Sequence, residues 1–292
     1  KIYKRRFIAS YLLLIAVSLM VYNFPSREMK VIFFDVGQGD SSCIITPDKK
    51  TVLIDGGGMS RNSNYYYDVG GKITLPALLH QGIWSIDTII VSHFHDDHME
   101  GLLKVIEVYP VNKLVIPEVS AGAELISPNG KQLLNLCREK GINVYRIGKG
   151  DSIKLGKNGE LDFYMPDKVS GYSTQDENNN SLVCRLRYRK FTLLYTGDIG
   201  SIVEGELLKD QIDSVVLKVP HHGSKYSSSK SFIEAVSPKV SIISVGKNNF
   251  GHPSQETIER LNSAGSMVYR TDESGAVIIK TDGINMKLTT MK

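Results

Sequence analysis

Between Ser92 and Gly101 the chain reads Ser-His-Phe-His-Asp-Asp-His-Met-Glu-Gly, with three histidines and two aspartates inside six residues. Imidazoles and carboxylates crowded onto one corner lose hydration and repel one another unless a cation sits between them, and a metal ion is the natural partner. His93 and His95 are two apart, so an extended backbone points both the same way, while Asp97 and His98 follow on a turn able to swing back toward them. A lone histidine would read as a solvated loop residue. This spacing after a strand reads as a ligand set.

Other corners of the chain carry matching chemistry. A hairpin, Leu182–Tyr188 and Phe191–Tyr195, delivers Thr196-Gly197-Asp198, and a carboxylate at the end of an apolar strand is rarely left without a partner. A strand over Ser214–Val219 ends in Pro220-His221-His222-Gly223-Ser224. Two divalent ions need several donors and a bridging carboxylate, and Asp198 suits that place. His252 follows the apolar strand Val240–Val245 and could hydrogen-bond a phosphate or protonate a leaving oxygen; a plain loop histidine beside Pro253 is the alternative. Asp35 and Asp55 end apolar strands and, with Asp40 and Ser41, are expected behind the ligands, fixing imidazoles and loop amides. Lys225, Lys230 and Lys247 could meet a phosphate backbone, although isolated lysines are more often simply solvated.

These groups need a scaffold, and 292 residues with 41% hydrophobic and 23% charged content suffice for one with a sizeable core. The net charge of +4 does not by itself announce nucleic-acid binding. Cys43, Cys137 and Cys184, odd in number and widely spaced, read as core thiols rather than a disulfide framework or zinc ribbon. Strands alternate with helices from Met29 onward, opening with an antiparallel meander. The ligand corner follows the apolar strand Asp87–Val91, an amphipathic segment runs from Glu100 to Val108, and helices are expected after Ser127 and Ser254. Tyr65, Tyr66 and Tyr67 could stack on bases but more often would fold over the core.

The basic start Lys1–Arg6 precedes an uncharged apolar run from Phe7 to Tyr22, at the short end of the roughly 17 to 25 residues that span a bilayer. No small-x-small cleavage site follows. Residues 1–27 are therefore expected to form a membrane helix with its basic flank inside, placing residues 28–292, a single domain, on the extracellular face.

His-x-His-x-Asp-His after a strand, then Thr-Gly-Asp, then a histidine after a further strand, resembles the metallo-β-lactamase superfamily. More narrowly, Asp35–Ser41, Leu53–Gly57, Asn180–Val183 and Leu217–Ser224 resemble the C-terminal domain of ComEC-type competence proteins, over about Met29 to Ile279. The resemblance implies an α/β fold, the αββα sandwich with a metal site at one edge, here preceded by one N-terminal membrane helix. It implies two divalent ions, zinc or manganese: His93 and His95 on the first, Asp97 and His98 on the second, Asp198 between them. His222 or His221 completes the second site, with His222 favoured as ligand and His221 facing the substrate phosphate. Asp97 would also orient the attacking water.

The superfamily's third histidine is missing, replaced by Glu177-Asn178-Asn179-Asn180, so the first site is expected to be the weaker, with Glu177 or an asparagine as a partial substitute. The implied function is a metal-dependent phosphodiesterase or nuclease of a DNA-uptake membrane protein, with Asp97, His221 and His252 as catalytic candidates. The implied partners are DNA, the membrane, and a multi-helix channel domain upstream. Two alternatives stand: a phosphodiesterase on a small or surface-polymer substrate such as phosphorylcholine, and a non-catalytic DNA-binding or channel-docking domain.

Overall fold

The computed structural model describes residues 2–23, 28–58, 67–118, 127–167 and 177–292. Short β-branched and apolar runs separated by glycine turns build its first sheet, from β1 (Met29–Phe33), β2 (Ser42–Ile45), β3 (Thr51–Ile54), β4 (Thr88–Ile90), β5 (Lys113–Pro117) and β6 (Asn143–Ile147). The second sheet holds β7 (Ser152–Leu155), β8 (Gly159–Met165), β9 (Val183–Tyr188), β10 (Phe191–Tyr195), β11 (Val216–Lys218), β12 (Val240–Ile243) and β13 (Met267–Arg270). The chain then returns to the first sheet with β14 (Ala276–Thr281) and β15 (Met286–Met291), giving the order β15-β14-β1-β2-β3-β4-β5-β6. The expected meander is there: Ile32 pairs with Cys43, and Cys43 with Leu53, all antiparallel.

Both faces of each sheet are apolar, so each must be covered twice. Val31, Phe33, Ile44 and Val52 point between the sheets against Phe163, Leu186, Leu193 and Val216. Their neighbours Ile32, Cys43 and Leu53 point outward against Met99, Leu102, Val105 and Leu133. Those last residues lie on α3 (Asp96–Val108) and α4 (Pro128–Glu139), which with α2 (Leu75–His80) cover the first sheet. Across the molecule α5 (Ser201–Leu207), α6 (Lys230–Val236) and α7 (Gln255–Ser263) cover the second, with α8 (Thr271–Ser274) between β13 and β14. The result is the four-layer αββα arrangement. Ser127 and Ser254 cap α4 and α7 by accepting from Gly130 N and Thr257 N. All three cysteines are buried and free.

Parallel pairing from β3 to β6, and from β10 to β13, sends the carboxyl ends of neighbouring strands to one edge, where loops gather in α/β sheets. That edge carries the histidine corners.

The N-terminal segment does form a helix, α1 (Ile2–Asn23), with Phe7, Leu12, Leu13 and Leu14 exposed. Among the described residues no helix is long and apolar enough to cross a membrane. The uncharged run from Phe7 to Tyr22, at ~1.5 Å per residue, covers about 24 Å against the roughly 30 Å of a hydrocarbon core. Tyr65 and Tyr66 lie outside the described residues.

Candidate metal centre

The motif is split between two backbone shapes. His93 and His95 lie on extended chain beyond β4, and His95 is the N-cap of α3 at φ −68° and ψ 145°. Asp97 and His98 sit on that helix's first turn, where unpaired N–H groups and the helix dipole favour carboxylates. The helix therefore begins four residues before the amphipathic segment read from sequence. Its entry is pressed against glycine loops: Gly56 N donates to His98 O and Asp40 N to Asp97 O. A Cβ on Gly58, whose φ is +157°, would lie 2.0 Å from Asp96 O, and one on Gly39, at φ +135°, 2.2 Å from Asp97 O. Only glycine permits that approach.

Each imidazole is held from behind. His98 Nδ1 lies 2.9 Å from Asp55 Oδ2, which leaves Nε2 facing Asp198 Oδ1 at 3.3 Å. His222 Nδ1 donates to Ser244 O at 2.9 Å, which leaves Nε2 3.3 Å from Asp198 Oδ2 and 3.4 Å from Asp97 Oδ2. His93 Nδ1 meets the hydroxyls of Ser92 and Ser181, at 3.1 and 3.3 Å. Its Nε2 then faces His95 Nδ1 at 3.1 Å. Asp55 also accepts from the Ser92 amide, and Ser41 Oγ donates to Asp55 O.

Asp198 stands beyond the end of β10, between the two groups, with one oxygen toward His98 and the other toward His222. His221 and His222 occupy consecutive left-handed conformations, φ 50° and 51°, which turns their side chains to different sides. His222 is buried; His221 is partly exposed, with Nε2 3.9 Å from Asp198 Oδ2.

Donor atoms within 4.8 Å of one another include the sets His93, His98, Asp198 and Asp97, His98, His222. His98 Nε2, His222 Nε2 and Asp198 Oδ1 are buried with no hydrogen-bond partner. Buried polar atoms left this way fit a cation better than they fit one another. Imidazole and carboxylate donors match a divalent transition metal.

Electrostatics agree with that fit. Burial alone would lower His98 and His222, but Asp198 and the other carboxylates outweigh it and hold both well above the usual histidine value. Burial would raise Asp198, yet His222 and His98 bring it well below the carboxylate range. Without an ion, protons on Nε2 thus occupy the places of positive charge. Burial, with His98 as a like charge, pushes His93 far down, so it stays neutral.

One residue was missed. Lys218, buried at the end of β11, pairs with Asp40 Oδ2, and its Nζ lies 3.9 Å from Asp198 Oδ1 and 3.4 Å from Gly197 O. A single charge inside the apolar run Ser214–Val219 was the available signal.

The structure places Asp40 behind both His98 and His222, at 3.8 and 3.5 Å. Asp35 is not brought to the site: its side chain is exposed at the turn and accepts from Gly37 N. His252 stacks edge-on against His221, centroids 5.3 Å apart. Burial and the neighbouring His221 and His222 lower it to about 4, so at neutral pH it can hydrogen-bond but holds no spare proton for a leaving group. Glu177 Oε2 lies 3.3 Å from His95 Nε2. Lys225 lies over the Tyr226 ring, and Lys230 is exposed near Glu234.

The family model of the metallo-beta-lactamase superfamily matches residues 35–247. ComE operon protein 3 of Bacillus subtilis is 32% identical over 275 residues, covering 89% of this chain and 34% of that protein. Competence protein ComA of Neisseria gonorrhoeae is 28% identical over 257 residues, 87% of this chain and 32% of that one. The chain thus spans about a third of the length of the curated relatives it matches. Among solved structures, CmlA, a diiron β-hydroxylase from Streptomyces venezuelae, superposes with a TM-score of 0.56 at 13% identity, over 91% of this chain and 55% of that one. The metallo-β-lactamase fold protein YhfI of Bacillus subtilis gives 0.55 at 11%, over 87% and 99%. Both show shared architecture. With that architecture, and the histidine and aspartate corners gathered at one sheet edge, the chain belongs to the metallo-β-lactamase superfamily.

Proposed function

We propose that the protein is a binuclear metal-dependent phosphodiesterase that cuts DNA in competence, outside the membrane. The observation that carries this is the posture of Asp198, whose two oxygens face His98 Nε2 and His222 Nε2, both at 3.3 Å, as a bridging carboxylate would. In this reading His93 Nε2 and His95 Nδ1 would hold the first ion and Asp97, His98 Nε2 and His222 Nε2 the second, with Asp198 available to both. Two divalent ions, zinc or manganese, would supply water activation at neutral pH and charge stabilisation at the phosphoryl oxygens.

The chain's own groups do the rest. Asp97 accepts a hydrogen bond from the attacking water and orients it. His221, partly exposed beside Asp198, and neutral His252 next to it hydrogen-bond the phosphate oxygens. Asp40, Asp55 and Ser244 fix the ring orientations that make this geometry repeatable. The competence relatives support DNA as substrate, and the exposed apolar side chains of α1 support a membrane setting.

The test is cleavage of single- and double-stranded DNA by the 292-residue protein with added manganese or zinc, beside Asp97→Ala. Wild type should cut and the variant should not. Absence of cleavage with either ion would sink the proposal; hydrolysis of an aryl phosphodiester with DNA untouched would move the substrate to a small phosphodiester.

A further inference from the structure

We propose that Glu177 compensates for the absent third histidine as a positioning residue: it grips the outer nitrogen of His95 and aims the inner one at the first metal position. This rests on the binuclear reading above. The orientation of His95 is the starting point. Its Nδ1 faces His93 Nε2 at 3.1 Å, and its Nε2 faces Glu177 Oε2 at 3.3 Å. A carboxylate accepts only, so a neutral His95 keeps its proton on Nε2 and presents a bare lone pair at Nδ1. His93 is set the same way, because Ser92 Oγ gives its own proton to Asp55 Oδ2 and so accepts from His93 Nδ1, which leaves Nε2 bare.

Two bare imidazole nitrogens this close repel unless a cation lies between them. With metal–nitrogen bonds of about 2.0–2.1 Å, tetrahedral ligands stand roughly 3.3–3.4 Å apart, near the distance found here. The inner pair is therefore His93 Nε2 and His95 Nδ1, and Glu177 stands outside it. Among the described residues, neither Glu177 nor His95 joins a set of three or more donors lying within 4.8 Å of one another, so the placing of Glu177 rests on the side of the His95 ring that it faces.

Its backbone position explains the substitution. Glu177 opens the short 3-10 turn Asn178–Asn180 that precedes β9, the segment where the superfamily's third histidine was expected. A side chain there reaches the far edge of the His95 ring. The Phe94 backbone amide also engages the carboxylate, so its direction is fixed from two sides. A carboxylate behind a ligating imidazole raises its basicity and fixes its tautomer, and loss of such a partner costs about 10–100-fold in metal affinity. The first site would thus trade a third ligand for a better second one.

The experiment is manganese titration and cobalt absorption spectroscopy on the full chain, comparing wild type, Glu177→Ala and Glu177→Gln. Wild type should bind two ions with unequal affinity. Glu177→Ala should weaken the weaker site by about 10–100-fold and leave the stronger site unchanged, with Glu177→Gln in between. The cobalt bands of the weaker site, once saturated, should keep their wild-type intensity in both variants, because no ligand is lost. Unaltered affinity at the weaker site in both variants overturns the inference. Altered band intensity in Glu177→Gln also overturns it, by showing Glu177 to be a ligand. If Glu177→Ala fails to fold, the nearly isosteric Glu177→Gln decides. Wild type that binds no ion would instead defeat the binuclear reading itself.

Discussion

The Asp40 carboxylate and the Lys218 ammonium meet on the floor of the metal corner, with both side chains almost wholly withdrawn from water. Burial alone would raise Asp40, but Lys218 and His222 outweigh it and hold the carboxyl at about 2. Removing one member of such a pair strands a buried charge, at a cost of about 3–5 kcal/mol. Lys218→Met should therefore lower unfolding stability by that amount in denaturant titrations. The double change Asp40→Asn with Lys218→Met should cost less than the sum of the single ones; additivity would show that the two do not act as a pair.

Asp198 faces both halves of the centre, so its loss should be felt by both ions. Asp198→Ala is expected to leave less than one bound ion per chain in elemental analysis and to reduce phosphodiester cleavage by ~100-fold or more, given the several kcal/mol that metal ions contribute. His221→Ala should instead keep both ions and lose rate. Retention of two tightly bound ions in Asp198→Ala would remove it from the bridging position.

Metal loading should release protons. His98 and His222 are held well above 6.5 in the metal-free protein by Asp198 and its neighbours, and an ion on Nε2 must displace the proton there. Apparent affinity should rise with pH, and calorimetry in buffers of different ionisation heat should reveal the released protons. The metal-free fold should respond in the opposite sense. The raised histidines stabilise it fully below about pH 6.5 and lose that contribution as pH climbs through their higher folded values. A melting temperature of metal-free protein that increases between pH 7 and 10 would contradict this.

Gly58 lets the loop after β3 press on the first turn of α3. Gly58→Ala should displace Asp96 and, with it, Asp97 and His98, costing about 1–3 kcal/mol of stability from forced backbone alone. Metal titration should show the second site weakened more than the first. Gly82→Ala, also at positive φ but with nothing within 4 Å, is the control for backbone strain without close contact.

Much of this was legible because side-chain period and strand ends are local properties. The pairing of Ile32 with Cys43 and Leu53, and the apolar runs ahead of His93, Asp198 and His221, follow from alternation and turn chemistry. The start of α3 was not legible: Asp96, Asp97 and His98 look like loop residues, and only tertiary contact with the glycine loops places them on a helical turn. The helices α5 and α6, at 7 residues each, are too short for a 3.6 period to stand out. Asp35 and Asp55 look alike in sequence, each closing an apolar run before a glycine turn. The turn leaves one in solvent and brings the other to His98.

The donors come from different halves of the molecule. His93, His95, Asp97 and His98 hang from the first sheet and its helix, while Asp198 and His222 hang from the second. Elsewhere the halves meet across a shared apolar core, with Val31, Phe33 and Ile44 against Phe163, Leu186 and Leu193. Ions shared across that seam would act as rivets: they bind only when the two sheets are in register, so occupancy reports the alignment of the halves. Stripping them should lower the melting temperature, because an ion that binds only the aligned sheets stabilises the folded state by mass action.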